Sequence, residues 1–196
     1  SLSLIPSENY ASKAVMAAVG SELMNKYAEG YPHKRYYNGN SIVDHVEDEA
    51  RRLALKAFKL NPKEWAANVQ SHSGSPANLA VYTGTLQMGD KILAMSLSEG
   101  GHLTHGSPVS LTSKLFQFKH YGVKEDGYLD YDAIMATAKE FQPKLIVCGF
   151  TAYPRTVDFK KFREIADAVG ARLMADVSHI AGLIAGGVMD NPVPLF

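Results

Sequence analysis

From Trp65 onward, the sequence alternates short apolar runs of β type with longer runs of helical periodicity. The β-type runs are residues 66–70, 91–97, 115–121, 144–150 and 172–177, and the helical runs are 76–86, 131–141 and 159–169. This alternation is typical of an α/β domain with a mainly parallel sheet between helices. Gly170 directly follows the last helical run, where a left-handed residue ends many helices. We expect catalytic groups at the carboxyl ends of the strands, where connecting loops and helix N-termini converge.

Residues 1–62 follow a different pattern and are predicted to form a helical arm. Ser12 can cap one helix, and Ser41 can cap a second that ends at Asn61-Pro62. Segment 27–39 between them contains Gly, Pro and several Tyr without periodicity, which is typical of an ordered loop. The predicted domains are therefore 1–62, the arm with its loop, and 63–196, the α/β portion.

Composition and charge exclude several classes of function. The 20 basic and 20 acidic side chains balance, so there is no bulk electrostatic attraction to nucleic acid. The apolar and glycine run 180–189 is shorter than the roughly 20 residues needed to cross a bilayer. We therefore expect neither a nucleic-acid partner nor a membrane. Cys148, the one cysteine, lies in an apolar run and is predicted to be a small buried residue. A reducing compartment such as the cytoplasm fits, and an organellar form stays open because the N-terminus lacks Met.

A serine-rich segment precedes the first helical run of the α/β portion. Ser75 followed by Pro76 predicts a helix start. Free backbone N–H groups there, with the hydroxyls of Ser73 and Ser75 and the close approach that Gly74 allows, can hold a phosphate. A plain serine cap explains the same residues. No Walker or dinucleotide glycine motif is present, so a bound phosphate would belong to another kind of ligand.

A carboxylate ends the last predicted strand, in Asp176-Val177-Ser178-His179. A carboxylate buried there needs a cation or strong donors, and a protonated heterocyclic nitrogen would serve. Alternatively, Asp176 caps a helix predicted over 178–186, and His179 is a hydrogen-bonded core residue.

Two histidines, His102 and His105, are bracketed by glycines after the strand that ends near Leu97. Such a loop can bring an imidazole face close to a planar ligand. The pair could instead bind a metal together with Glu99, but no third ligand follows at a spacing typical of zinc. We therefore expect no metal site.

The tyrosine-rich loop contains one carboxylate, Glu29, among the cations Lys26, Lys34 and Arg35. Two interpretations stay open on composition. Glu29 is either a solvated member of an ion pair or a general acid or base held in a cleft.

Six segments, in this order, resemble the serine hydroxymethyltransferases, which are pyridoxal 5′-phosphate enzymes of the aspartate-aminotransferase fold. They are Ile-Pro-Ser-Glu-Asn-Tyr at 5–10, Asn-Lys-Tyr-Ala-Glu-Gly-Tyr-Pro at 25–32, Arg-Tyr-Tyr at 35–37, His-Ser-Gly-Ser-Pro-Ala-Asn at 72–78, Gly-Gly-His-Leu-Thr-His-Gly at 100–106 and Asp-Val-Ser-His at 176–179. The resemblance implies a three-layer α/β sandwich, incomplete here, with an N-terminal helical arm. Residues 63–196 would be the first part of the large cofactor-binding domain.

The resemblance also implies roles for residues around pyridoxal 5′-phosphate. Ser73, Gly74 and Ser75 would hold the phosphate, with Tyr27 reaching from a neighbouring subunit. Asp176 would pair with the pyridine nitrogen and His102 would stack on the ring. Thr151, where the family often has serine, and His179 would lie near the phenolic oxygen.

In that family the reaction interconverts serine and glycine, with tetrahydrofolate as the one-carbon carrier. Glu29 resembles the carboxylate assigned to proton transfer, so the implied catalytic residues are Glu29, His102, Asp176 and His179. Ser7 and Tyr37 resemble substrate contacts, and Leu97 and Gly101 resemble folate contacts. A homodimer or homotetramer is implied.

One departure from the family pattern concerns the C-terminus. The lysine that forms the Schiff base, the arginine that binds the substrate carboxylate and the C-terminal domain would follow Phe196. We therefore expect this chain to be inactive alone and to be completed by a second polypeptide or by strand exchange. Two alternatives remain: a non-catalytic truncated subunit that acts in dimerisation or binding, and another pyridoxal-phosphate lyase or transferase of the same fold.

Overall fold

The computed structural model describes residues 2–196, which divide into two compact units, one ending at Gln70 and the other covering Ser71–Phe196. The first unit contains α1 (Lys13–Val19), a 3₁₀ turn (Glu22–Asn25), the strands β1 (Gly30–Tyr31) and β2 (Lys34–Arg35), and α2 (Ser41–Ala57). Ser12 caps α1 as predicted, because its hydroxyl accepts a hydrogen bond of 3.2 Å from the backbone N–H of Val15.

Segment 27–39, predicted as an ordered loop, contains a short antiparallel hairpin of β1 and β2. Pro32 and His33 make its turn, and His33 has a φ of 62°. Residues other than glycine rarely adopt this left-handed backbone conformation. Here the N–H of His33 donates to the Asp44 carboxylate at 3.1 Å, which stabilises the turn from α2.

The start of α2 differs from the prediction by one residue. Asn40, not Ser41, is the capping residue, although its side chain makes no capping hydrogen bond. Its amide instead donates to the carbonyl oxygens of Tyr27 at 3.2 Å and Tyr37 at 2.8 Å. The loop therefore fixes where this helix begins.

The second unit is an α/β domain, as predicted. Its elements are α3 (Gly74–Thr85), β3 (Lys91–Met95), α4 (Thr112–Leu115), β4 (Gln117–Tyr121), α5 (Tyr131–Phe141), β5 (Leu145–Gly149), α6 (Phe159–Val169), β6 (Arg172–Asp176) and α7 (Ala181–Ala185). The four strands form one parallel sheet in the order β4-β3-β5-β6. Gly170 ends α6 with a φ of 65°, as predicted.

The sheet is covered on both faces, which gives three layers. On one face, Ile146 and Cys148 of β5 pack in a cluster with α5 and α6. On the other face, Leu145 and Val147 pack with Tyr82 of α3. Burial on both faces explains why β5 is continuously apolar rather than alternating. Burial also raises the pKa of the Cys148 thiol. This layered architecture is that of an incomplete three-layer sandwich and confirms the predicted fold class.

Two further predictions were wrong in detail. Residues 66–70 form no strand, since side chains satisfy part of their backbone, as when Arg51 Nε donates to the Ala67 carbonyl at 3.1 Å. The helix predicted to be capped by Ser75 begins earlier, with Ser73 as the cap, Gly74 first and Pro76 third. Proline is tolerated throughout the first turn because no N–H there has an intrahelical acceptor.

Among residues 2–196, no helix combines the length and apolarity required of a membrane span.

We expect Gly149→Ala to destabilise the protein by about 1–3 kcal/mol, the usual cost of overpacking. Gly149 is the last residue of β5 and pairs with Asp176 of β6, and an added Cβ would lie 2.6 Å from the Asp176 Cβ. Gly84→Ala in α3 is the matched control, because nothing lies within 4 Å of its added Cβ. That control is expected to be stabilising by about 0.5–1 kcal/mol. Urea unfolding measures both, and equal effects of the two substitutions would contradict the packing argument.

Candidate active site

Several predicted site residues of the second unit follow the carboxyl ends of its strands. Asp176 ends β6, and the segment 97–106 that follows β3 lies beside the segment that follows β5. The two segments are joined at Gly100, whose carbonyl accepts from the backbone N–H groups of Thr151 at 2.7 Å and Ala152 at 3.1 Å. The parallel sheet therefore places three loops at one edge, as the fold class predicts.

Asp176 is a buried carboxylate that accepts four hydrogen bonds from the protein. Its Oδ2 accepts from His105 Nε2 at 2.9 Å and from Asn78 Nδ2 at 2.9 Å. Its Oδ1 accepts from the hydroxyl of Ser178 at 2.6 Å and from the N–H of Ser178 at 3.3 Å. The side chains of Asp176 and His105 are only 8% and 0% exposed. These donors offset the cost of removing the carboxylate from water.

The orientation and tautomer of His105 are fixed by the backbone around it. The N–H of His102 donates to His105 Nδ1 at 3.1 Å, so Nδ1 carries the lone pair and Nε2 carries the proton that faces Asp176. The carbonyl of His105 contacts His120 Nε2 at 2.9 Å. His105 is thus a pre-oriented donor to the carboxylate.

A second route connects Asp176 to His102. The other amide hydrogen of Asn78 is donated to Thr104 Oγ1 at 2.8 Å, and Thr104 Oγ1 lies 2.8 Å from His102 Nδ1. The N–H of Thr104 also donates to His102 Nδ1, at 3.2 Å. His102 Nδ1 is therefore an acceptor, and a neutral His102 carries its proton on Nε2. We call the connected residues the Asp176 network: Asn78, His102, Thr104, His105, Asp176 and Ser178.

The network sets the charge of its members. Burial by itself raises the pKa of the Asp176 carboxyl, but the hydrogen bonds from His105, Ser178 and Asn78 outweigh it and hold that pKa well below its usual range. Burial lowers the pKa of His102, and the neighbouring His105 lowers it further. The site thus offers an ionised carboxylate beside a neutral imidazole at neutral pH.

The N-terminus of α3 lies one turn from this network, because Asn78 belongs to the same helix. Ser73, Gly74 and Ser75 are exposed there, and no capping hydrogen bond from the Ser73 side chain occurs within the described residues. The first N–H groups of a helix lack intrahelical acceptors and favour an anion. Nothing lies within 4 Å of a Cβ added at Gly74, so the backbone is open to a ligand.

The remaining predicted residues of this unit are also placed by the structure. Within residues 2–196, the Thr151 hydroxyl is buried and has no hydrogen-bond partner. His179 is half-buried and lies close enough to His102 to help lower the pKa of that imidazole. Gly101 is buried, and an added Cβ would collide with the Met95 carbonyl, whereas Leu97 is exposed. Thr151 therefore has a buried hydroxyl that is unpaired within the described residues.

The alternative interpretation of Asp176 as a helix cap is wrong. The following helix, α7, begins only at Ala181 rather than at 178 and is not capped by a side chain. The Asp176 carboxylate binds Ser178 two residues on, which forms a local turn instead of a helix start.

Four predicted residues, Ser7, Tyr27, Glu29 and Tyr37, lie in the first unit, and all four are exposed. The rings of Tyr27 and Tyr37 meet edge to face, with centroids 5.7 Å apart. The roles implied for these four residues stay predictions.

Sequence reasoning missed the roles of Asn78, Thr104, His105 and Ser178. The one sequence signal for these roles is the three-residue spacing of His102 and His105, which allows the backbone of His102 to orient the His105 ring. No group of three or more His, Cys, Asp or Glu side chains within residues 2–196 is arranged to hold a metal ion.

We expect the stability contributed by Asp176 to depend on pH. Folding lowers the pKa of this carboxyl, so its contribution is complete above the ordinary Asp pKa of about 3.9 and is lost as the pH falls below it. The difference in unfolding free energy between wild type and Asp176→Asn should therefore shrink between about pH 4.5 and about pH 2 in urea titrations. A difference that stays constant across this range would show that the carboxylate is not held ionised by the fold.

Comparison with known proteins identifies the family of this chain. The profile of the family described as serine hydroxymethyltransferase matches residues 1–196. A serine hydroxymethyltransferase of Methanosarcina barkeri is 59% identical over 194 residues, which are 98% of this chain and 46% of that protein. Two from strains of Prochlorococcus marinus are 58% and 57% identical over 98% of this chain and 45% of their own length. The chain thus spans about half the length of these relatives. Since both the profile and these relatives cover nearly all of it, the chain belongs to the serine hydroxymethyltransferase family.

Proposed function

We propose that this chain provides the pyridoxal 5′-phosphate site of a serine hydroxymethyltransferase that interconverts serine and glycine with tetrahydrofolate as one-carbon carrier. The observation that carries the proposal is the buried Asp176 carboxylate, kept ionised by three neighbouring side chains one helical turn from an exposed helix N-terminus. A buried anion and a helix N-terminus that are connected through Asn78 suit a ligand with a cationic ring and a phosphate.

The residues present fit this cofactor. Ser73, Gly74 and Ser75 would hold the phosphate through backbone N–H groups and hydroxyls. Asp176 would bind the pyridine nitrogen and favour its protonated form, because an adjacent anion stabilises a cation. When bound, pyridoxal 5′-phosphate supplies an electron sink for charge that develops on the α-carbon of the amino acid.

The residues beside the carboxylate complete the fit. His102 would present the face of a neutral imidazole to the ring, and its orientation is already fixed by Thr104. The buried Thr151 hydroxyl, which has no partner within the described residues, would donate to the phenolic oxygen, together with His179. An orphaned buried hydroxyl of this kind is expected where a ligand supplies the missing hydrogen bond.

Substrate handling is proposed from the family roles. Glu29 would move the proton of the serine hydroxyl, and Ser7 and Tyr37 would contact the amino acid. Leu97 and Gly101 would contact the folate. Tyr27 would reach the phosphate from a neighbouring subunit, so the working protein would be a homodimer or homotetramer. The reduced, buried thiol of Cys148 is compatible with the cytoplasm.

The cofactor role of Asp176 is tested by measuring exchange of the glycine α-proton in the full-length protein loaded with pyridoxal 5′-phosphate. We expect wild type to exchange the proton and Asp176→Asn to exchange it at least about 100-fold more slowly, since a preorganised charge is lost. Asp167→Asn is the matched control, because Asp167 is an exposed residue paired with Arg163 on the surface of α6. No exchange by the wild-type protein would contradict the proposal and favour a non-catalytic binding subunit.

The role of Glu29 is tested by Glu29→Gln in the same protein. We expect glycine α-proton exchange to persist while cleavage of serine falls about 100-fold or more, because general acid–base catalysis contributes about that factor or more. Nuclear magnetic resonance of glycine in deuterated water and an assay of one-carbon transfer to tetrahydrofolate measure the two reactions. Equal loss of both would indicate damage to the fold instead of a proton-transfer role.

A further inference from the structure

A single buried side chain holds the backbone on both sides of Glu29. Arg35 Nη1 donates to the carbonyl of Ala28 at 2.8 Å and to the carbonyl of Gly30 at 2.8 Å. Glu29 is thus the residue between the two carbonyls that one nitrogen clamps. The carbonyl of Glu29 itself accepts from the N–H of Tyr36 at 3.1 Å.

The same guanidinium is anchored to a long helix. Arg35 Nε donates to Asp44 at 2.7 Å and Nη2 donates to Glu47 at 2.8 Å, both in α2. The Arg35 side chain is only 5% exposed. A buried, charge-assisted pair of this kind has a defined geometry, so the backbone at Glu29 is fixed to α2.

The Glu29 carboxylate is not part of this ion-pair cluster. Its residue is exposed, and within residues 2–196 the side chain forms no hydrogen bond or ion pair. Of the three cations near Glu29 in the sequence, Arg35 pairs with Asp44 and Glu47 instead. The carboxylate is left available while its backbone is held.

We propose that Arg35 is a positioning residue that fixes the location of Glu29 for proton transfer. The inference rests on the proposed role of Glu29. Arginine suits the task because its planar fork donates in several fixed directions at once, whereas the compact ammonium of lysine cannot reach two carboxylates and two carbonyls together.

The test compares Arg35→Lys, Glu29→Gln and the double variant in the full-length, cofactor-loaded protein. We expect Arg35→Lys to lower the kcat of serine cleavage by about 100-fold, the loss that a displacement of about 1 Å can cause. Glycine α-proton exchange should stay near the wild-type rate. The double variant should be no slower than Glu29→Gln alone, because Arg35 acts through Glu29. Arg52→Lys is the matched control, since Arg52 forms an exposed pair with Glu49 in α2, and should leave both reactions unchanged.

A second variant covers the case in which Arg35→Lys does not fold, as judged by its thermal melt. Asp44→Asn keeps the guanidinium and Glu47 but weakens the anchor, and should lower cleavage while sparing exchange. Three results would overturn the inference for Arg35→Lys, or for Asp44→Asn in its place. The variant could cleave serine at the wild-type rate, or it could lose exchange and cleavage equally. The third result is a double variant with Glu29→Gln that cleaves serine more slowly than Glu29→Gln alone. If Glu29→Gln itself cleaves serine normally, the proposed role of Glu29 fails and the inference fails with it.

Discussion

The buried contact between Asp176 and His105 is the interaction on which the second unit's site depends. A carboxylate that is 8% exposed would be costly without donors, and His105 supplies one from a side chain that is fully buried. The backbone N–H of His102 fixes the His105 tautomer, so the contact also ties the loop after β3 to the end of β6. One connected group of hydrogen bonds therefore sets the charge of Asp176, the orientation of the His105 ring and the position of the end of β6.

The first unit uses the same principle with a cation at the centre. Arg35 is buried between two carboxylates of α2, and its remaining donors hold the loop backbone. Asn40 adds two further hydrogen bonds, to the carbonyls of Tyr27 and Tyr37. In the first unit the Glu29 carboxylate stays available, because Arg35 holds the backbone on either side of it and leaves the side chain unbound.

Sequence periodicity predicted much of the fold and less of the site. The helices Tyr131–Phe141 and Phe159–Val169 have the predicted bounds, because each has a clear apolar stripe and, at its end, turn residues. The prediction of a strand over residues 66–70 was wrong because a short apolar run does not reveal whether a strand partner exists. The partners of Asp176 could not be predicted, since Asn78 lies 98 residues away and no local pattern encodes such a pairing.

That long separation ties ligand binding to the folding of the second unit. Asn78 lies in α3, the first helix of the second unit, and Asp176 lies in β6, the last strand of that unit. The hydrogen bond between them therefore forms only when the chain between them has folded and brought its ends together. Fraying of β6 away from β5 would take Asp176 away from its donors. Any molecule that requires the ionised carboxylate would oppose that fraying, and by mass action would make the whole sheet harder to open.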